Sequence, residues 1–114
     1  MDFDLSDEQR LLKESAERFI RADYPFDKRR QWAASSDGFS RDNWAKFAEL
    51  GWLALPFAEE DGGFGGTAVE TMILMEALGS GLAVEPYLAT VILAGRLIAA
   101  GGAISLPARI TVAR

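Results

Sequence analysis

The stretch from Gly51 to Gly66 constrains this chain more than any other. It reads Gly-Trp-Leu-Ala-Leu-Pro-Phe-Ala-Glu-Glu-Asp-Gly-Gly-Phe-Gly-Gly and holds five of the protein's eleven glycines. Glycine inside a helix costs about 1 kcal/mol against alanine, so no helix runs through it. Its first half, Trp52 to Pro56, is too apolar for a free loop and is predicted to lie extended across neighbouring helices. Gly62, Gly63, Gly65 and Gly66 then suit close passage of backbone beside backbone.

Helices are predicted on both sides of this connector. Ser6 and Gln9 form a capping box for a first helix running to about Ala22, with Leu12, Ala16, Phe19 and Ile20 on one face. Tyr24-Pro25 ends it, because a residue before proline avoids the helical region. Asp27 is the expected cap of a short second helix reaching Trp32 or Ala34. Its Lys28-Arg29-Arg30 run reads as a solvated face, since consecutive residues cannot share one side and Asp23 and Asp27 lie beside them. Ser40 caps a third helix whose Trp44 and Phe47 have core spacing, and Gly51 closes it.

Beyond the connector the chain turns strongly apolar. Thr67 and Glu70 form a second capping box, and the fourth helix, with Val69, Met72, Ile73, Leu74, Met75 and Leu78, carries only Glu70 and Glu76 as charges before Gly79-Ser80-Gly81 stops it. Pro86 suits the first turn of a fifth helix, from Tyr87 to Ala100, which has Arg96 as its one charge and closes at Gly101-Gly102. The expected fold is therefore all-α, a bundle of about five helices with a Gly-rich connector. Two such apolar helices predict a large exposed apolar patch that faces a missing domain, a partner or a ligand.

Composition removes several functions. The 114 residues make one domain, large enough for a core without metal or disulfide. No cysteine means no thiol nucleophile or thiolate metal site, and no histidine removes the commonest general base. Lack of cysteine and of a secretory leader places the protein in the cytoplasm by expectation. The net charge of −5 opposes nucleic-acid binding. The longest uncharged apolar run, Tyr87 to Gly95, falls short of the ~20 residues of a membrane span. Glu59, Glu60 and Asp61 lack the calcium-loop ladder, and neighbours in sequence do not converge on one substrate atom, so an exposed acidic turn is expected. The glycines after them are not a phosphate loop, because no Lys-Ser/Thr follows and no βαβ unit surrounds them.

Three features in order resemble the N-terminal domain of the acyl-CoA dehydrogenases. The opening Asp4-Leu5-Ser6-Asp7-Glu8-Gln9-Arg10-Leu11-Leu12 is similar to the family's start. Leu50-Gly51-Trp52-Leu53-Ala54-Leu55-Pro56 with Glu59-Glu60-x-Gly62-Gly63-x-Gly65-Gly66 resembles its central signature, and Met75-Glu76-Ala77-Leu78-Gly79 its next helix end. Glu85-Pro86-Tyr87-Leu88-Ala89-Thr90 looks most like the small-subunit, pimeloyl-CoA dehydrogenase branch.

The resemblance covers residues 1 to about 102 and implies an all-helical domain followed, in a complete enzyme, by a β-domain and a four-helix domain. Such enzymes use FAD to dehydrogenate acyl-CoA thioesters between the α and β carbons. The catalytic carboxylate and most flavin contacts belong to the later domains, so no catalytic, cofactor-binding or metal residue is expected here, and no FAD on this chain alone. By the same resemblance Tyr87, Leu88, Thr90 and Val91 help wall the acyl-chain cavity. Ala103-Ile104-Ser105-Leu106-Pro107 is similar to the family's approach to the β-domain, but Ala108 to Arg114 stop short of it. Residues 103–114 are thus expected to be a truncated or divergent tail, and activity to need the absent domains or a partner subunit. The alternatives are a non-catalytic helical module that dimerises or joins another subunit through its apolar helices, and, with less support, a lipid or acyl-chain carrier.

Overall fold

The first helix begins where the sequence supplies its cap. In the computed structural model, which describes residues 4–101, α1 spans Asp7–Asp23, and the Ser6 hydroxyl accepts from the Gln9 amide while the Gln9 side chain accepts from the Ser6 amide. Then come α2 (Phe26–Ala34), α3 (Arg41–Glu49), a short 3-10 turn at Glu59–Asp61, α4 (Ala68–Ser80), a π-helical segment at Leu88–Gly95, and α5 (Arg96–Ala100) continuing directly from it. Among the described residues there is no strand, and the architecture is the expected all-α bundle. The last helix ends at Gly101, the first of the two glycines expected to close it, and Gly102 and the tail from 103 to 114 lie outside the described residues.

Three local expectations change. Asp27 does not cap α2; it lies within the first turn, after Pro25 at the cap position. The connector from Gly51 to Pro56 sits where expected but is coiled into successive turns rather than extended. Ala54 N–H donates to Gly51 O, Leu55 N–H to Trp52 O and Phe57 N–H to Ala54 O. Burying Trp52, Leu53 and Ala54 together removes their backbone from water, and turn bonds satisfy the polar groups that an isolated extended segment would leave unpaired. The last helix, finally, is wound as a π-helix over most of its length, where hydrophobic pattern alone suggested α.

The core is built mainly of aromatic rings. Phe47 and Trp52 lie 5.0 Å apart between centroids, and Phe19 approaches both edge-on at 5.6 and 5.7 Å. Trp44 and Phe47 are buried, as their spacing predicts. Helix α4 packs along α1, placing Ile73, Leu74, Ala77 and Leu78 inside. Burial of each of the Ile and Leu side chains is worth about 1.5–3 kcal/mol, so this pairing is a main source of stability.

Two glycines of the connector are indispensable to its path. Gly51, at φ +81°, follows the last residues of α3 in the left-handed conformation. It lets Gly51 N–H reach Ala48 O and Trp52 N–H reach Phe47 O, the paired closing bonds of a Schellman stop. A Cβ on Gly63 would sit 2.2 Å from the Phe57 carbonyl oxygen, so backbone touches backbone there.

Candidate functional site

The segment after α4 gathers the residues singled out from sequence. Tyr87 and Val91 point inward and are buried, Thr90 is half-buried, and Leu88 is 52% exposed. The four therefore do not share one face. Spacing by four places Tyr87, Val91 and Gly95 against the core, leaving Leu88, Leu93, Leu97 and Ile98 outward. The Tyr87 hydroxyl donates to the Trp52 carbonyl oxygen at 2.7 Å, tying the start of the π-helix to the connector. Burial pushes its pKa well above the usual phenol value, so it remains a donor.

Ahead of this segment lies a polar cluster that sequence reading left unassembled. Glu85 is buried, and its two carboxylate oxygens accept from the Tyr24 hydroxyl at 2.7 Å and the Ser40 backbone N–H at 2.9 Å. The Tyr24 oxygen in turn accepts from Val84 N–H at 2.8 Å. Burial, above all, raises the Tyr24 pKa far beyond its ordinary value. A sequence signal for the pair did exist. Tyr24 and Glu85 both stand directly before a proline, which keeps each residue's backbone out of a helix and free to turn its side chain across an element end.

The basic run on α2 also has a structural use. Arg29 Nε–H donates to the Leu82 carbonyl oxygen at 2.9 Å, so this residue bridges to the loop after α4 instead of only facing solvent. Leu82 itself adopts φ +53°, a left-handed conformation rare for leucine.

The acidic and glycine-rich turn does not offer a cofactor cradle. Gly65 and Gly66 N–H groups donate to the Phe57 and Leu55 carbonyls, each at 2.7 Å, and Gly63 N–H donates to Ala58 O at 2.9 Å. Amides committed to carbonyls cannot wrap the pyrophosphate of a flavin. Glu59 and Glu60 are exposed in the 3-10 turn, and no group of three or more metal-ligating side chains converges among the described residues. Nor is any helix among them long and apolar enough to cross a membrane.

The bundle, with its glycine connector and a final helix that carries exposed apolar side chains, defines an all-helical domain. A family model for the acyl-CoA dehydrogenase N-terminal domain matches residues 6–106, and the chain belongs to that family. Enzymes of this family depend in general on FAD. Among solved structures, a chain in the crystal structure of the ChsE4-ChsE5 complex from Mycobacterium tuberculosis is similar, with a TM-score of 0.76 and 29% sequence identity. The match covers 87% of this chain and 27% of that one. No curated protein matches the sequence.

Proposed function

We propose that this domain serves the FAD-dependent α,β-dehydrogenation of acyl-CoA thioesters by walling the acyl-chain cavity. The observation that carries the reading is the outward side of the last helix, where Leu88, Leu93 and Leu97 stand exposed in succession. Such a row costs free energy in water and gains it against an acyl chain or another domain. Within that wall Leu88 stands on the outward row and half-buried Thr90 on another side of the helix, while Tyr87 and Val91 hold the segment from behind. FAD, when bound in such an enzyme, supplies the hydride acceptor; most of its contacts and the proton-abstracting carboxylate come from the β-domain and C-terminal bundle.

In this reading residues 1–102 form the domain and the enzyme works in the cytoplasm. The Glu85-Pro86-Tyr87 opening supports membership in the small-subunit, pimeloyl-CoA dehydrogenase branch. The test is acyl-CoA-driven bleaching of oxidised flavin in the FAD-loaded protein that unites this domain with the other two. Leu88→Glu is expected to raise KM for long acyl-CoA thioesters and leave short ones nearly unchanged. Equal KM values for both across the substitution overturn the wall assignment.

A second reading has its own support. The exposed row also suits pairing with a second copy or another subunit, and the similar solved structure is a complex of two different proteins. Light scattering on the purified chain tests it, since a monomer at high concentration argues against pairing.

A further inference from the structure

Glu85 is a buried carboxylate whose oxygens are both taken by neutral donors, the Tyr24 hydroxyl and the Ser40 N–H. Burying a carboxylate is costly unless it is fully hydrogen-bonded, and a simple spacer at this point would use an apolar side chain. What Glu85 does that an apolar residue cannot is join three places at once. Tyr24 is the C-cap of α1 and Ser40 the N-cap of α3, while Glu85 lies just ahead of the π-helix. Both anchors are themselves fixed. Tyr24 packs on Trp32 at 4.8 Å between ring centroids, and α3 is held through buried Trp44 and Phe47.

We propose that Glu85 is a positioning residue that sets where the outward face of the final helix stands, and thereby which acyl-chain lengths the cavity accepts. The proposal rests on the acyl-wall reading above. Val84 and Glu85 are held by the one Tyr24 hydroxyl group, Tyr87 is held two residues later by Trp52 O, and Leu88 follows at once. Sliding the chain by one residue would break all of these bonds together. From there the π-helix passes the register onward, with Val91 and Gly95 inward and Leu88 and Leu93 outward. The far end offers little to oppose a shift, since Leu97 and Ile98 are exposed and Ala99 only half-buried.

The experiment measures kcat/KM for straight-chain acyl-CoA thioesters of graded length on the FAD-loaded protein that unites this domain with the β- and C-terminal domains. In Glu85→Ala the ratio of long-chain to short-chain kcat/KM is expected to change by about tenfold, the scale on which a pocket discriminates a methylene or so. Glu85→Gln, which keeps an oxygen for Ser40 N–H, restores part of the ratio. Tyr24→Phe removes only the hydroxyl and shifts the ratio in the same direction, which keeps the test open if Glu85→Ala does not fold. A role in stability alone would scale every substrate alike, so an unchanged ratio in both variants overturns the proposal. Leu88→Trp separates the two levels. If it alters selectivity while the Glu85 and Tyr24 variants do not, the wall stands and the positioning role falls; if none of them does, both fall.

Discussion

Leu82 occupies the place a glycine usually takes. Helix α4 ends with Leu82 N–H bonded to Gly79 O and Ala83 N–H to Leu78 O, both at 3.0 Å, the same stop that Gly51 provides for α3. Here the left-handed residue is a leucine, at φ +53° and exposed. A side chain in that conformation costs about 1–2 kcal/mol. Leu82→Gly is therefore expected to stabilise the domain by about 1 kcal/mol in urea unfolding, less whatever flexibility glycine adds to the unfolded chain. Gly63 is the opposite case. Its substitution by alanine drives a Cβ into the Phe57 carbonyl, whose backbone has little room to move. A loss of about 3 kcal/mol, at the upper end for overpacking, is expected by the same measurement; a loss below 0.5 kcal/mol, the ordinary scatter of surface changes, would contradict the packing described.

At the scale of elements, caps and cross-links decide how α1 and α4 sit together. Glu70 closes the α4 capping box with Thr67 and also accepts from the side-chain Nε2 of Gln9 in α1 at 3.0 Å. The Thr67 hydroxyl first, and Gln9 second, lower its pKa from 4.5 to about 2. A depressed folded pKa contributes stability that is present above the unfolded value and lost as pH falls through the folded one. The stabilisation from Glu70 should thus be intact above pH 4.5 and fade between there and about 2. Solvent screening keeps its size small. Thermal unfolding of Glu70→Gln against the unsubstituted protein at stepped pH checks this: the gap should narrow towards pH 2, and a constant gap would contradict it.

These elements also show what the sequence made legible. Capping boxes at Ser6 and Thr67, the Ser40 cap and the Gly51 stop were readable because each depends on side chains within four residues. The aromatic core was readable from the spacing of Trp44 and Phe47. The stop at Leu82 was not, since Gly79 and Gly81 beside it are the residues local propensity favours. Nor was the π winding, which tertiary anchors at Tyr87 and Glu85 accompany and no local pattern announces. For the four residues proposed as wall, sequence placed them on one helix but did not show which way each turns. Which of Tyr87, Leu88, Thr90 and Val91 turns inward depends on where Trp52 O and Tyr24 lie, and both are distant in the chain.

For the whole molecule, the question is what the outward apolar row meets. Leu97 is 75% exposed and Leu93 63%. An acyl-CoA carrying a photoreactive diazirine at the end of its chain, added to the FAD-loaded protein with its β- and C-terminal domains and irradiated, reports the contact directly. Labelling is expected on the peptide containing Leu88 and Thr90, and an unlabelled acyl-CoA should suppress it. Labelling that spares this peptide, or that an excess of unlabelled acyl-CoA leaves unchanged, would contradict the assignment of the last helix as the wall of the acyl cavity.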